Sequence, residues 1–117
     1  MPIYAQIQDL ASQQPIPDDG ILTRSIHDDA VCRIVLFTMS ADQELSEHAA
    51  SIPATMHFLS GQGKVTLASD SFDYDANSWF WMPPTLAHSI RATTPTTMLL
   101  TMFKSKEAPL RQKGENA

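Results

Sequence analysis

Phe58-Leu59-Ser60-Gly61-Gln62-Gly63-Lys64-Val65-Thr66-Leu67 is the stretch whose reading decides the fold. The apolar segment beginning at Ala54 runs into two glycines one residue apart, after which Lys64 to Leu67 alternates polar with apolar. Strict alternation marks a strand with one wet face, and glycine frees the backbone for a tight reversal. Strand, turn and strand is therefore the local reading. Ser71-Phe72-Asp73-Tyr74-Asp75 alternates in the same way. Outward from there, short segments rich in β-branched, aromatic and aliphatic residues recur at close spacing, which predicts strands near 21–26, 31–39, 54–60, 63–69, 71–74, 78–82, 87–91 and 96–103. No long window keeps apolar residues at helical spacing without a Pro, Gly or β-branched interruption, and eight prolines oppose helices as well. The chain is expected to be all-β.

Residues 1–20 read as an N-terminal arm and linker, because Gln13-Gln14-Pro15-Ile16-Pro17-Asp18-Asp19-Gly20 is dense in chain breakers. Residues 21–103 read as a single domain, and 104–117 as a polar tail expected to be loose. Ile34 to Met39 and Met98 to Phe103 are apolar on nearly both faces, so each is expected to lie between the core and a second covered surface. A homodimer is the expected cover.

Composition narrows the function classes. At 117 residues, with 43% hydrophobic and 18% charged residues, the chain can bury a core of its own without disulfides. A formal charge of -5 would repel a phosphate backbone, so nucleic acid is excluded as a partner. Met1 to Gln6 lacks the basic and long apolar regions of a signal peptide, and no run reaches bilayer-spanning length. A cytoplasmic protein with no membrane partner is expected. The lone Cys32 lies in the apolar run Val31 to Phe37 and reads as a small buried hydrophobe. His27, flanked by Asp28 and Asp29, reads as a solvated loop residue.

His48, His57 and His88 have a more specific setting. Glu44-Leu45-Ser46-Glu47-His48, followed by Phe58 to Leu67, resembles the first motif of the cupin family. In that motif a His, a second His two positions on and a Glu four beyond it precede an apolar strand that ends at Gly. Anchored at Gly61, these positions fall on His48, Ala50 and Ala54. Asn77-Ser78-Trp79-Phe80-Trp81-Met82-Pro83-Pro84-Thr85-Leu86-Ala87-His88 resembles the second motif, with Pro83 and His88 matching it. Asn77, Thr85 and Ala92 replace two usual glycines and a usual Asn.

The resemblance implies a cupin-type double-stranded β-helix, an RmlC-like jelly-roll barrel, with a pocket at its open end that normally holds a divalent metal on three His and one Glu. Ala50 and Ala54 carry no donor atoms, so no metal is expected and no cofactor is required. A divalent metal, if present, would use His48, His88 and, through a β-bulge between 54 and 57, His57. Without that bulge, alternation sends His57 to the face opposite Ala54, Met56 and Phe58. The expected ligand site consists of His48, His88, Trp81 and Met56. The expected function is binding of a small molecule at a degenerate metal site. The alternative is a metal-dependent enzyme of the dioxygenase, isomerase or decarboxylase type, with Glu44 and Glu47 as acid or base candidates.

Overall fold

The computed structural model describes residues 3–104, the side chain of His48 excepted. The expected tail, from 105 on, lies outside the described residues. Nine strands follow a short 3-10 turn at Leu10–Gln13: β1 (Ile21–Asp28), β2 (Cys32–Met39), β3 (Glu44–His48), β4 (Ala54–Ser60), β5 (Gly63–Leu67), β6 (Asp70–Tyr74), β7 (Trp79–Met82), β8 (His88–Ala92) and β9 (Thr96–Phe103). Among the described residues no helix is long and apolar enough to cross a membrane.

Eight of these strands lie where the sequence pattern predicts them. β3 was not expected, because Glu-Leu-Ser-Glu-His carries one apolar residue among four polar ones. It forms at the edge of a sheet, where Leu45 lies opposite Ile90. β1 runs two residues further than expected, so His27 belongs to a strand and the loop assignment is corrected. β5 ends at Leu67 because Ala68 turns with a φ of 55°.

The strands form a five-stranded sheet in the order β1-β2-β9-β4-β7 and a four-stranded sheet in the order β3-β8-β5-β6, with every pairing antiparallel. Alternation turns Met39, Met56, Phe58 and Met98 of the first sheet toward Val65, Tyr74, Ile90 and Ala92 of the second, and these residues make one buried cluster. Phe58 stacks on Tyr74 with ring centroids 3.8 Å apart and meets Phe80 edge-on at 6.0 Å. Each large side chain fully buried here contributes about 1.5–3 kcal/mol relative to exposure. On the wet face of β5 and β6, Lys64 pairs with Asp73 at 2.8 Å.

The outer face of β2 is closed by the chain's own arm. Gln14 Nε2 donates to the Leu36 carbonyl and to Thr38 Oγ1, and the Thr38 hydroxyl donates to the Pro15 carbonyl at 2.9 Å. Leu36 and Thr38 are fully buried as a result.

Between the sheets the chain crosses at Gly61-Gln62-Gly63. Gly61 has a φ of 98°, and a Cβ there would overlap Thr96 Oγ1 and approach the Pro95 carbonyl to 2.5 Å. At Gly20, also left-handed with a φ of 108°, a Cβ would meet open space. Left-handed strain at a non-glycine residue costs about 1–3 kcal/mol. Gly61→Ala should therefore lose more stability in urea denaturation than Gly20→Ala, since only the first adds steric overlap to strain. Equal losses would show that the crossing tolerates a side chain.

Candidate functional site

β3 and β8 lie side by side with His48 and His88 as Cα partners, and a register shift between Leu45 and His48 lets β3 bend there. The turn after β7 is held against the segment after β3, because the Thr85 N–H donates to the Ala50 carbonyl at 2.7 Å. Thr85 reaches this position with a φ of 68° directly after the rigid Pro83-Pro84 pair.

A cavity of about 50 Å³ lies beneath these two segments, at one end of the sandwich. Ala50, Ala54, Met82, Leu86, Leu100 and Met102 contribute to its apolar wall, and His88 is the ionisable side chain among the lining residues. His88 is 8% exposed, and its Nδ1 lies 3.0 Å from the Leu86 carbonyl. A carbonyl only accepts, so Nδ1 carries the proton in that contact.

Of the residues expected in the ligand site, His88 lines the cavity. The backbone of His48 is beside it, and the side chain of His48 lies outside the described residues. Met56 faces inward but is sealed in the core at 1% exposure and does not line the cavity. Trp81 is a correction. It projects from the outer face of β7 and is 50% exposed, opposite Thr55, while Phe80 and Met82 take the inward positions of that strand. Trp79, opposite His57, shares the outer face.

The pairing of β4 with β7 and β9 is continuous from Ala54 through His57, so no bulge turns His57 inward. Glu44 lies 3.5 Å from Arg91 in an exposed ion pair, and Glu47 is exposed. The apolar wall built by Met82, Leu86, Leu100 and Met102 was not expected. The alternation of Leu100 with Met102 was its visible signal in the sequence.

No family profile and no curated protein matches the chain. Its backbone superposes on solved structures of bacterial proteins. A conserved protein of unknown function from Streptococcus pyogenes gives a TM-score of 0.79 at 24% identity, over 89% of this chain and 91% of that one. A cupin superfamily protein from Desulfitobacterium hafniense gives 0.80 at 18% identity, over 87% and 94%. An RmlC-like cupin from Desulfovibrio desulfuricans gives 0.76 at 22% identity, over 86% and 97%. The chain has the cupin fold.

Within that fold, the positions at which the first motif calls for a second His and a Glu hold the methyl groups of Ala50 and Ala54, and both line the cavity. The sequence supplies at most two imidazoles there, at 48 and 88. Metal centres with a single open position generally use three protein donors, more than the described residues around this cavity supply. The hydrogen bond to Leu86 makes a separate prediction. At a pH where His88 is neutral, long-range 15N–1H correlation spectra should show it as the Nδ1–H tautomer, and an Nε2–H signature would contradict that bond.

Proposed function

We propose that this cupin binds a small organic molecule, largely apolar or planar and carrying one hydrogen-bonding group, without a metal of its own in the barrel. The observation that carries the proposal is the lining of the cavity: an apolar wall, one buried imidazole at His88, and methyl groups where the fold's ligand motif would place donors. A concave, mostly apolar site with few convergent polar groups is the general form of a small-molecule pocket. In this reading the His88 ring meets the polar group of the ligand, with His48 beside it, and Met82, Leu100 and Met102 supply dispersion contacts. About 50 Å³ holds only a few non-hydrogen atoms. A larger ligand requires the 83–87 turn to move away from Ala50.

The same fold also serves enzymes, a salicylate 1,2-dioxygenase from Pseudoaminobacter salicylatoxidans among them. A metal-dependent reaction of that kind in this chain would need more donors than the described residues of the cavity lining supply.

A fragment screen by NMR on the purified protein tests the proposal. Hits should shift the resonances of His88, Leu86 and Met82, and His88→Ala should weaken them by roughly twofold to tenfold while the melting temperature changes little, a hydrogen bond to a neutral group being worth about 0.5–1.5 kcal/mol. Hits that avoid the cavity, or that bind His88→Ala equally well, would remove it as the ligand site.

The expected homodimer belongs to the same proposal. Trp79 and Trp81 are 60% and 50% exposed side by side on the short edge strand β7, an apolar surface of the kind that marks an interface. Light scattering at micromolar concentration should report a dimer, and Trp81→Glu should shift it to monomer. A monomeric wild-type protein would end this part of the reading.

A further inference from the structure

The hairpin of β1 and β2 assembles three metal-ligating side chains outside the barrel. One donor atom each from His27, Asp29 and Cys32 lies within 4.8 Å of the other two. Their convergence has local causes. Ser25 pairs with Val35 and His27 with Ile34, so Ile26 is an extra residue in β1, and a bulge of this kind re-aims the side chain that follows it. Asp29 is fixed by the turn, because its Oδ1 accepts the backbone N–H groups of Val31 and Cys32 at 2.8 and 2.9 Å while its own N–H donates to the Cys32 carbonyl. The second oxygen, Oδ2, meets His27 Nε2 at 2.8 Å. Hydrogen bonds from the Cys32 backbone, the His27 ring and the Val31 backbone hold the Asp29 carboxyl well below the usual carboxylate range, so it is anionic at neutral pH.

We infer that the His27 imidazole, the Asp29 carboxylate and the Cys32 thiolate form a binding site for a thiophilic divalent cation, zinc above all. One nitrogen, one oxygen and one sulfur donor suit a borderline-soft ion, and they exclude magnesium and calcium, which take oxygen ligands. Zinc–nitrogen and zinc–sulfur bonds of about 2.0–2.3 Å in a tetrahedron place ligand atoms roughly 3.3–3.8 Å apart. The His27–Asp29 contact therefore opens slightly and the thiolate closes in, within reach of small rotations of side chains that are 38% and 48% exposed at His27 and Asp29. On binding, Cys32 releases its thiol proton to solvent, and a neutral His27 that ligates through Nε2 carries its proton on Nδ1 instead. His27 and Asp29 also line a cleft of about 530 Å³ between the arm and the outer face of the sheet at Ile34 and Leu99. Three protein donors leave a fourth position, and its ligand enters from that cleft. The turn by itself accounts for the His27–Asp29 hydrogen bond and for Cys32 lying beside Asp29; what points to a metal is the donor set it assembles, one nitrogen, one oxygen and one sulfur.

Tag-free full-length protein, dialysed against a chelator and kept reduced without added thiols, tests this with zinc in competition against a coloured chelator and with cobalt as a spectroscopic substitute. A single equivalent should bind, and cobalt should give the near-ultraviolet charge-transfer band of a thiolate ligand. Cys32→Ser should abolish that band, and Cys32→Ser and His27→Ala should each weaken zinc roughly tenfold or more. His88→Ala should change neither result. Cobalt binding without a thiolate band, variants at 27 and 32 that bind as the wild type does, or loss of the metal in His88→Ala would each overturn the assignment, the last by moving the ion into the barrel. Because the two sites lie on opposite faces of the five-stranded sheet, either can fail without the other.

Discussion

The close backbone approach at Gly61 and Gly63 lets the chain pass from one sheet to the other, with Gly61 against Thr96 of the first and Gly63 against Arg91 of the second, and the rest of the molecule is arranged around it. A Cβ at Gly63 would overlap the Arg91 carbonyl and come within 2.6 Å of the Tyr74 hydroxyl, just as one at Gly61 would overlap Thr96. With both positions bare, β4 of one sheet passes directly into β5 of the other, and Tyr74 can lie flat on Phe58. The Thr96 hydroxyl donates its only proton to the Thr94 carbonyl, so Tyr74 must be the donor in the 2.8 Å contact between them. Burial raises the pKa of that phenol, which keeps it a donor over the neutral range. The crossing is thus satisfied internally, with Gln62 tied to Thr93 and Thr94 through the backbone.

Once the sheets are joined in this way, alternation along β4, β7 and β9 allots every side chain to one of two environments. Ala54, Met82, Leu100 and Met102 look inward toward the cavity, while Thr55, His57, Trp79 and Trp81 look outward. The cavity is apolar because the inward parity happens to carry methyl and thioether groups, with His88 brought in from the opposite sheet. The outward parity holds the two tryptophans, and the arm lies against the β2 part of that surface and faces Leu99 of β9 across a cleft. One sheet therefore separates a dry pocket from a wetter outer surface, where His27, Asp29 and Cys32 meet at the hairpin.

Much of this was legible in the residues. The all-β class, eight of nine strands and the placing of His57 on the face opposite Ala54, Met56 and Phe58 all follow from period-2 patterning, which depends only on neighbours along the chain. The cupin resemblance placed Ala50 and Ala54 at a pocket, and both line one. β3 escaped notice because an edge strand with one apolar residue has almost no pattern to read.

What the sequence by itself determined is which residues share a face. What only the tertiary structure decided is which face looks in. Alternation puts Trp79 and Trp81 on one face, yet alternation is symmetric, and only the pairing of Phe80 and Met82 with the core face of β4 sends the tryptophans out. His27 was read as solvated for a similar reason, since the bulge at Ile26 that aims it at Asp29 exists only in the pairing with β2. Local patterning is a property of the backbone's own geometry, whereas the sign of a face and the meeting of distant donors depend on contacts between segments far apart in the chain.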